Sequence, residues 1–136
     1  MSTFDFAFME YRAILQETPE SPLAKDAQFA IGEYYFEDQN ISEAVRTFNQ
    51  FSEKPTGKIQ DLLAYAYLLR CAKILSDNDS ILLFENKLKQ TLQTFESKKL
   101  SKFKSPIGHL FEFKELKDRV EIYRDNSVFA IILKTT

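Results

Sequence analysis

Two side chains in this sequence could carry nucleophilic or acid–base chemistry, namely the only cysteine, Cys71, and the only histidine, His109. A cysteine beside a histidine can form the thiolate–imidazolium pair on which cysteine hydrolases depend. Cys71, however, lies within an apolar helical run, where a cysteine behaves as a small core residue, and His109 lies in a separate segment. We therefore predict that the protein has no catalytic residues and is not an enzyme.

The sequence also lacks the motifs expected of metal-binding and phosphate-binding sites. One histidine excludes the paired histidines of zinc sites, including the helical motif of metalloproteases. Acidic pairs occur at Glu37–Asp38 and at Asp77/Asp79, but residues 76–80, SDNDS, lack the glycine and the ligand spacing of a calcium loop and have the composition of a helix-capping turn. The three isolated glycines form no phosphate-binding loop. We expect no metal site and no cofactor.

Charge is unevenly distributed along the chain. Residues 1–61 hold 11 acidic and 5 basic side chains, whereas residues 62–136 hold 9 acidic and 13 basic ones. The net charge of −2 does not indicate a nucleic-acid or membrane partner. The lysine-rich residues 98–104 are flanked by Phe95 and contain Phe103, but this patch is short, so we predict no nucleic-acid partner. A solvated helix face accounts for the lysines, and the alternatives are head-to-tail stacking of copies and contact with an acidic partner.

The sequence gives little information about the compartment. No stretch approaches the roughly 18–20 apolar residues that a membrane-spanning helix needs, so we predict no membrane span. The N-terminus has the acidic Asp5 and no basic region, and no signal peptide is visible. Both a cytoplasmic protein and an exported protein whose targeting segment has been removed fit these observations.

Apolar residues recur at steps of three and four through residues 1–100, and this periodicity predicts a mainly α region. Ser21 followed by Pro22 has the composition of a helix start, with a capping side chain and a proline in the first turn. The fourth helix is apolar on most sides, so we expect it to be buried. About five helices are predicted, near residues 4–17, 22–37, 42–54, 58–75 and 81–99.

Residues 101–136 differ in character and are predicted to form a C-terminal extension. Two β-rich runs, Val120–Tyr123 and Val128–Leu133, flank a turn that contains Asp125–Asn126, and they predict a β-hairpin at about residues 119–134. A lone hairpin is only marginally stable, so this one must pack on the helices or pair with another chain.

Residues 106–118 are ambiguous, because two local patterns disagree. Ser105–Pro106 resembles a helix start, whereas Phe111 and Phe113 alternate as in a strand. We favour a short helix that runs into the hairpin.

Small and large residues recur along the helices at similar but unequal spacings, since the pairs Ala7/Tyr11 and Ala44/Phe48 are 37 residues apart. Ala44 is followed one helical turn later by Phe48, and a comparable small residue, Ala66, lies 34 residues after Gly32. Gly32 and Tyr35 on its first helix, and Ala44 and Phe48 on its second, occupy the usual small and large positions of a tetratricopeptide repeat. The unit at about residues 25–57 therefore resembles this repeat. The resemblance implies stacked antiparallel helical hairpins that bury a continuous core.

A second feature narrows the resemblance. Pro19, Ser21, Ala24 and Ala27 match the turn and helix start of bacterial periplasmic and outer-membrane-associated tetratricopeptide proteins, of the Tol–Pal coordinator and β-barrel assembly lipoprotein type. This likeness implies a periplasmic or outer-membrane-associated protein in bacterial envelope assembly.

In that family the first helix of each unit lines a concave groove that receives a peptide or a helix of a partner. Carried over to this chain, the resemblance implies a partner-binding groove with Phe29 and Phe36 as anchors; the alternative is that a neighbouring helix or the C-terminal hairpin covers both rings. The groove candidates are Asp26, Phe29, Glu33, Phe36, Glu37, Gln60, Leu63, Tyr67 and Arg70.

The sequence as a whole predicts a non-catalytic protein-interaction or scaffold module that binds a protein or peptide partner. One alternative is a structural domain that forms homo-oligomers through the hairpin edge or the charge-asymmetric ends. Another is an accessory subunit of an enzyme.

Overall fold

A computed structural model describes residues 3–95 and 100–134 of the chain. Within these residues, five helices precede a four-stranded antiparallel sheet, so the predicted fold class, mainly α with C-terminal β structure, is confirmed. The helices are α1 (Thr3–Glu17), α2 (Pro22–Glu37), α3 (Ile41–Ser52), α4 (Gln60–Ile74) and α5 (Asn78–Leu92).

Side chains that cap the helices fix where two of them begin. The Ser21 hydroxyl accepts a hydrogen bond from the amide of Leu23 at 3.2 Å, and α2 starts at the next residue, Pro22. Asp77 caps α5 by accepting from the amide of Ser80 at 3.2 Å. Because of this cap, α5 begins three residues earlier than predicted. It ends at Leu92, so residues 93–95 of the predicted helix are not helical, and residues 96–99 lie outside the described part of the chain.

Consecutive helices pack against each other in chain order, and short turns join all but one pair. Helix α4 has the most central position, between α3 and α5 and beneath the sheet. The side chains of Leu62, Leu63, Leu68 and Leu69 on different sides of α4 are all buried, which confirms that this helix is enclosed. None of the helices in the described residues has the length and apolar character needed to cross a membrane.

The sheet contains twice the number of strands that the sequence predicted. Its strands, in spatial as well as chain order, are β1 (Phe103–Lys104), β2 (Leu110–Glu115), β3 (Arg119–Arg124) and β4 (Ser127–Leu133). The β3–β4 hairpin confirms the prediction. Its two turn residues, Asp125 and Asn126, have φ values of 51° and 69°, the left-handed conformation that a tight two-residue turn requires.

The short helix predicted within residues 106–118 is wrong. The alternation of Phe111 and Phe113 belongs to strand β2, where Phe111 is completely buried against the helices. Ser105 and Pro106 lie in the turn between β1 and β2, and the Ser105 hydroxyl accepts from the amide of His109 at 3.0 Å. Burial of the alternating phenylalanines outweighed the local preference of Ser-Pro for a helix start.

Helices and sheet share one hydrophobic core. The inner face of the sheet contributes Phe111, Val120, Ile122, Ala130 and Ile132 to the same buried cluster as the apolar residues of α2, α3 and α4. The sheet is therefore part of the fold of this chain, although the sequence changes character near residue 100.

Gly32 of α2 lies directly against the Phe48 side chain of α3. A Cβ atom at this position would lie 2.8–2.9 Å from three ring atoms of Phe48. The Phe48 ring has no room to retreat, since it is stacked on Tyr67 with centroids 4.6 Å apart and meets Phe29 edge-on at 5.5 Å. The sequence pattern marked Gly32 and Phe48 as small and large positions of the repeat-like unit, and in the structure these two positions meet.

We expect Gly32→Ala to destabilise the protein by up to about 2 kcal/mol, because overpacking costs about 1–3 kcal/mol and improved helix propensity returns about 1 kcal/mol. Denaturant unfolding measures the change. The double variant Gly32→Ala/Phe48→Leu should lose less stability than the two single changes added together. Simple additivity would contradict a steric conflict at this contact.

Candidate functional site

The surface predicted to be an open groove is covered by the sheet of the same chain. The Phe103 ring of β1 lies edge-on to Phe29, with centroids 6.2 Å apart, and the Phe111 ring of β2 lies 6.0 Å from that of Tyr67. Four of the predicted groove residues are at most 1% exposed and belong to the core: Phe29, Glu33, Leu63 and Tyr67. Their assignment as partner-contacting residues is corrected accordingly, because their side chains are buried and no partner can reach them.

Phe36 lies at the border of the covered surface. Its ring packs edge-on against Tyr67 at 5.1 Å and Phe129 at 6.1 Å, and it is partly buried. The sequence alternative, in which a neighbouring helix or the C-terminal hairpin covers both rings, therefore holds fully for Phe29 and only in part for Phe36. The remaining candidates lie around this surface and are exposed or partly exposed: Asp26, Glu37, Gln60 and Arg70.

A buried carboxyl group lies between the helices and the sheet. Tyr67 of α4 donates a hydrogen bond from its hydroxyl to Glu33 Oε2 of α2, with an O···O distance of 2.7 Å. Burial raises the pKa of Glu33 to about 8, although the hydroxyls of Tyr67 and Ser105 act in the opposite direction. The other carboxyl oxygen, Oε1, has no hydrogen-bond partner of normal geometry within the described residues. The carboxyl group is therefore held mainly in its neutral form at neutral pH.

Ion pairs join the end of α2 to the sheet beside this carboxyl group. Glu37 Oε1 accepts a hydrogen bond from Arg124 of β3 at 2.6 Å and lies 3.0 Å from His109 Nε2. His109 Nδ1 faces Asp125 Oδ2 at 2.5 Å, so the imidazole bridges two carboxylates. The Arg124 guanidinium also lies 4.9 Å from the centre of the Phe129 ring. Opposite charges of the acidic and basic halves of the chain thus meet within the molecule.

Cys71 and His109, the two residues considered for catalysis, lie in different surroundings. Cys71 is completely buried in α4, and burial raises the pKa of its thiol to about 12, which keeps it protonated and unreactive. His109 is held by Glu37 and Asp125 at the helix–sheet border. The structure does not bring Cys71 and His109 into contact.

The acidic turn and the basic patch named in the sequence also have local explanations. Both carboxylate oxygens of Asp77 accept hydrogen bonds from Ser80, as expected of a helix cap. In the described ranges, no group of three or more His, Cys, Asp and Glu side chains could hold a metal ion. Of the lysine patch, Lys98 and Lys99 lie outside the described residues, and Lys102 lies 3.6 Å from Glu112.

The two edges of the sheet differ in how they are protected. Strand β1 has only two residues, and lysines and a proline surround it at Lys102, Lys104 and Pro106. Strand β4 has seven residues without a charged side chain. Short strands, lysine and proline are the usual means by which proteins prevent an edge from pairing, so β1 is protected and β4 is not.

The register of the sheet shows which backbone groups of β4 point outward. Pairing of Val120 with Ile132, together with the hydrogen bond from the Lys134 amide to the Asp118 carbonyl, directs the even-numbered residues of this stretch toward β3. The amide and carbonyl groups of Ile131 and Leu133 therefore point away from the sheet. Within the described residues, β4 pairs only with β3, and no turn, loop or cap hydrogen bond involves these two residues.

Apolar side chains accompany these outward backbone groups. Val128, Ile131 and Leu133 are 47%, 42% and 54% exposed on the outer side of β4. We call these three side chains, with the outward backbone groups of Ile131 and Leu133, the β4 edge. It combines unpaired main-chain groups with exposed apolar surface, which is the combination that an added strand requires.

Sequence reasoning missed several residues of the helix–sheet border. Ser105 and Phe111 were considered only for secondary structure, His109 only for catalysis and metal binding, and Arg124 was not considered at all. The alternation of Phe111 and Phe113 was the one local pattern that could have revealed strand β2. Contacts such as Glu37 with Arg124 join residues 87 positions apart, and no local pattern in the sequence encodes them.

Comparison of the chain with protein-family models, with curated proteins and with solved structures finds no match.

Glu33→Gln should change the pH dependence of stability. Because the folded pKa of about 8 exceeds the ordinary value of 4.5, the stability that Glu33 contributes is complete below pH 4.5 and is lost as the pH rises through about 8. In that window the wild-type free energy of unfolding should fall, relative to Glu33→Gln, by up to about 1.4 kcal/mol per pH unit. Denaturant unfolding at several pH values measures it.

Glu10→Gln, which changes an exposed glutamate on α1, is the matched control. Its free energy of unfolding should change with pH in the same way as that of the wild type. Parallel curves for Glu33→Gln and wild type would show that Glu33 titrates normally and is not held in its neutral form.

Phe29→Ala should destabilise the protein by about 3–5 kcal/mol, as expected for removal of a fully buried aromatic ring. Phe6→Ala, at a phenylalanine that is 58% exposed on α1, should change stability by less than about 0.5 kcal/mol. Thermal or denaturant unfolding of both variants makes the comparison. An unchanged Phe29→Ala protein would mean that this ring is open to a partner after all.

Proposed function

We propose that this protein is a non-catalytic protein-interaction module that binds an extended segment of its partner along the β4 edge. The observation that carries the proposal is the pair of outward backbone positions, Ile131 and Leu133, on a long uncharged edge strand. An added strand gains affinity from main-chain hydrogen bonds and specificity from alternate side chains. This mechanism needs no pocket and no reactive group.

The sheet is a more accessible binding surface than the helical groove, because the groove is covered by the inner face of the sheet. A partner that entered the helical groove would have to displace the inner face of the sheet, including Phe111 and Ile132, from the common core. A partner at the β4 edge leaves the inner face of the sheet in the core and covers apolar side chains that are already exposed. The second route costs less free energy, since burial of apolar surface is its main effect.

The resemblance to tetratricopeptide repeats supports the same functional class, because proteins of that family act through partners. In this chain the contact between Glu33 and Tyr67 joins residues 34 positions apart, the period of the family. A place in the bacterial envelope has the resemblance as its only support.

Selection of extended peptides from a random phage-displayed library tests the proposal. We expect the selected peptides to alternate apolar and polar residues, to perturb the NMR amide signals of β4, and to lose binding at least about tenfold to Leu133→Pro, a change of about 1.4 kcal/mol. Proline at position 133 removes an outward amide and leaves the inward ladder to β3 intact.

Lys114→Ala, at an exposed residue of β2 distant from the β4 edge, is the control and should bind the selected peptides normally. Peptides that bind Leu133→Pro and wild type equally well, or that perturb α2 and α4 instead of β4, would contradict strand addition.

A further inference from the structure

We infer that the partner of the β4 edge is a second copy of this chain, paired antiparallel through a two-fold axis at Ile132. The inference rests on the proposed function, because it names the occupant of the same edge. It would join two four-stranded sheets into one continuous sheet of eight strands. A two-fold arrangement is the commonest symmetry of protein homo-oligomers.

The register follows from the outward backbone groups. The amide and carbonyl groups of Ile131 and Leu133 both point away from β3, and the two residues are two positions apart. A two-fold axis at Ile132 therefore places Ile131 of each copy opposite Leu133 of the other. Each such pair can exchange two hydrogen bonds, in the manner of an antiparallel ladder. The backbone of β4 needs no rearrangement to pair in this way, because it is already an extended strand.

Side chains agree with the same register. Ile131 and Leu133 both lie on the outer face and are about half exposed, so each would cover the other across the axis. Ile132 points inward in both copies and would extend the inner apolar face across the junction. Apolar and β-branched cross-strand pairs of this kind are favourable in sheets.

Charge determines the orientation. Between Ala130 and Lys134 the only charged residue is Lys134, which also pairs with Glu115 at 3.2 Å. In the antiparallel arrangement each Lys134 lies opposite Ala130 of the other copy, and the two lysines are at opposite ends of the junction. A parallel arrangement would put the two lysines side by side, which is unfavourable.

The extent of the junction limits its strength. A register irregularity of β4 occurs opposite Ile122 and Tyr123, where Phe129 is left out of the pairing, so the regular part of the strand is short. Two short strands bury less surface than a standard interface, and we expect a dimer dissociation constant on the order of 10–100 μM.

Sedimentation equilibrium of the full chain over a range of concentrations tests the inference. Wild type and Lys114→Ala should form dimers with the same dissociation constant. Ile131→Lys and Leu133→Glu should each weaken the dimer by about a hundredfold, since the two-fold axis counts each substitution twice. Circular dichroism and unfolding curves confirm that the variants are folded.

Mixing the two variants tests the register. In the antiparallel register, Lys at position 131 of one copy lies opposite Glu at position 133 of the other, so an equimolar mixture of Ile131→Lys and Leu133→Glu should recover the dimer. Failure of the mixture to associate would overturn this register.

A monomeric wild type at the highest concentration would overturn the inference while leaving strand addition intact, provided that selected peptides still bind the β4 edge. If neither copies nor peptides bind there, the proposed function fails as well.

Discussion

The packing of Tyr67 between the helices and the sheet is the interaction on which the rest of the structure depends. Its ring is stacked on Phe48 and meets Phe129 edge-on at 4.9 Å, so one side chain contacts both layers. A buried tyrosine hydroxyl needs a hydrogen-bond partner, and Glu33 supplies it. The aromatic core and the buried carboxyl group are therefore consequences of the same placement.

This placement explains why the helical groove is closed. Without the sheet, the rings of Phe29 and Tyr67 would face water, and burying aromatic rings of this size is among the largest favourable contributions in a core. The sheet covers them with its own phenylalanines, and the ion pair between Glu37 and Arg124 fixes its position at one end. This arrangement also buries the Glu33 carboxyl group, which is unfavourable for its charged form, and the pKa of Glu33 is raised for this reason.

The parts of the fold that could be predicted from the sequence are those encoded by local patterns. Helix spacing, the Ser21 cap and the Asp125–Asn126 turn are all short-range signals, and each has its counterpart in the structure. Strand β2 was missed because Ser105–Pro106 competes locally with the alternation of Phe111 and Phe113. The covered groove could not be read from the sequence, because it depends on contacts between residues that are far apart in the chain.

The same sheet that closes the groove creates the β4 edge. A sheet that lies across a helical layer has two edges, and this chain protects only one of them, with a two-residue strand β1 and nearby lysines. On β4 a charge at position 131 or 133 would lie on the outer face, away from the core, so the fold itself does not require apolar residues there. The apolar side chains of Ile131 and Leu133 are therefore better explained by a surface that they cover in association than by the packing of the single chain.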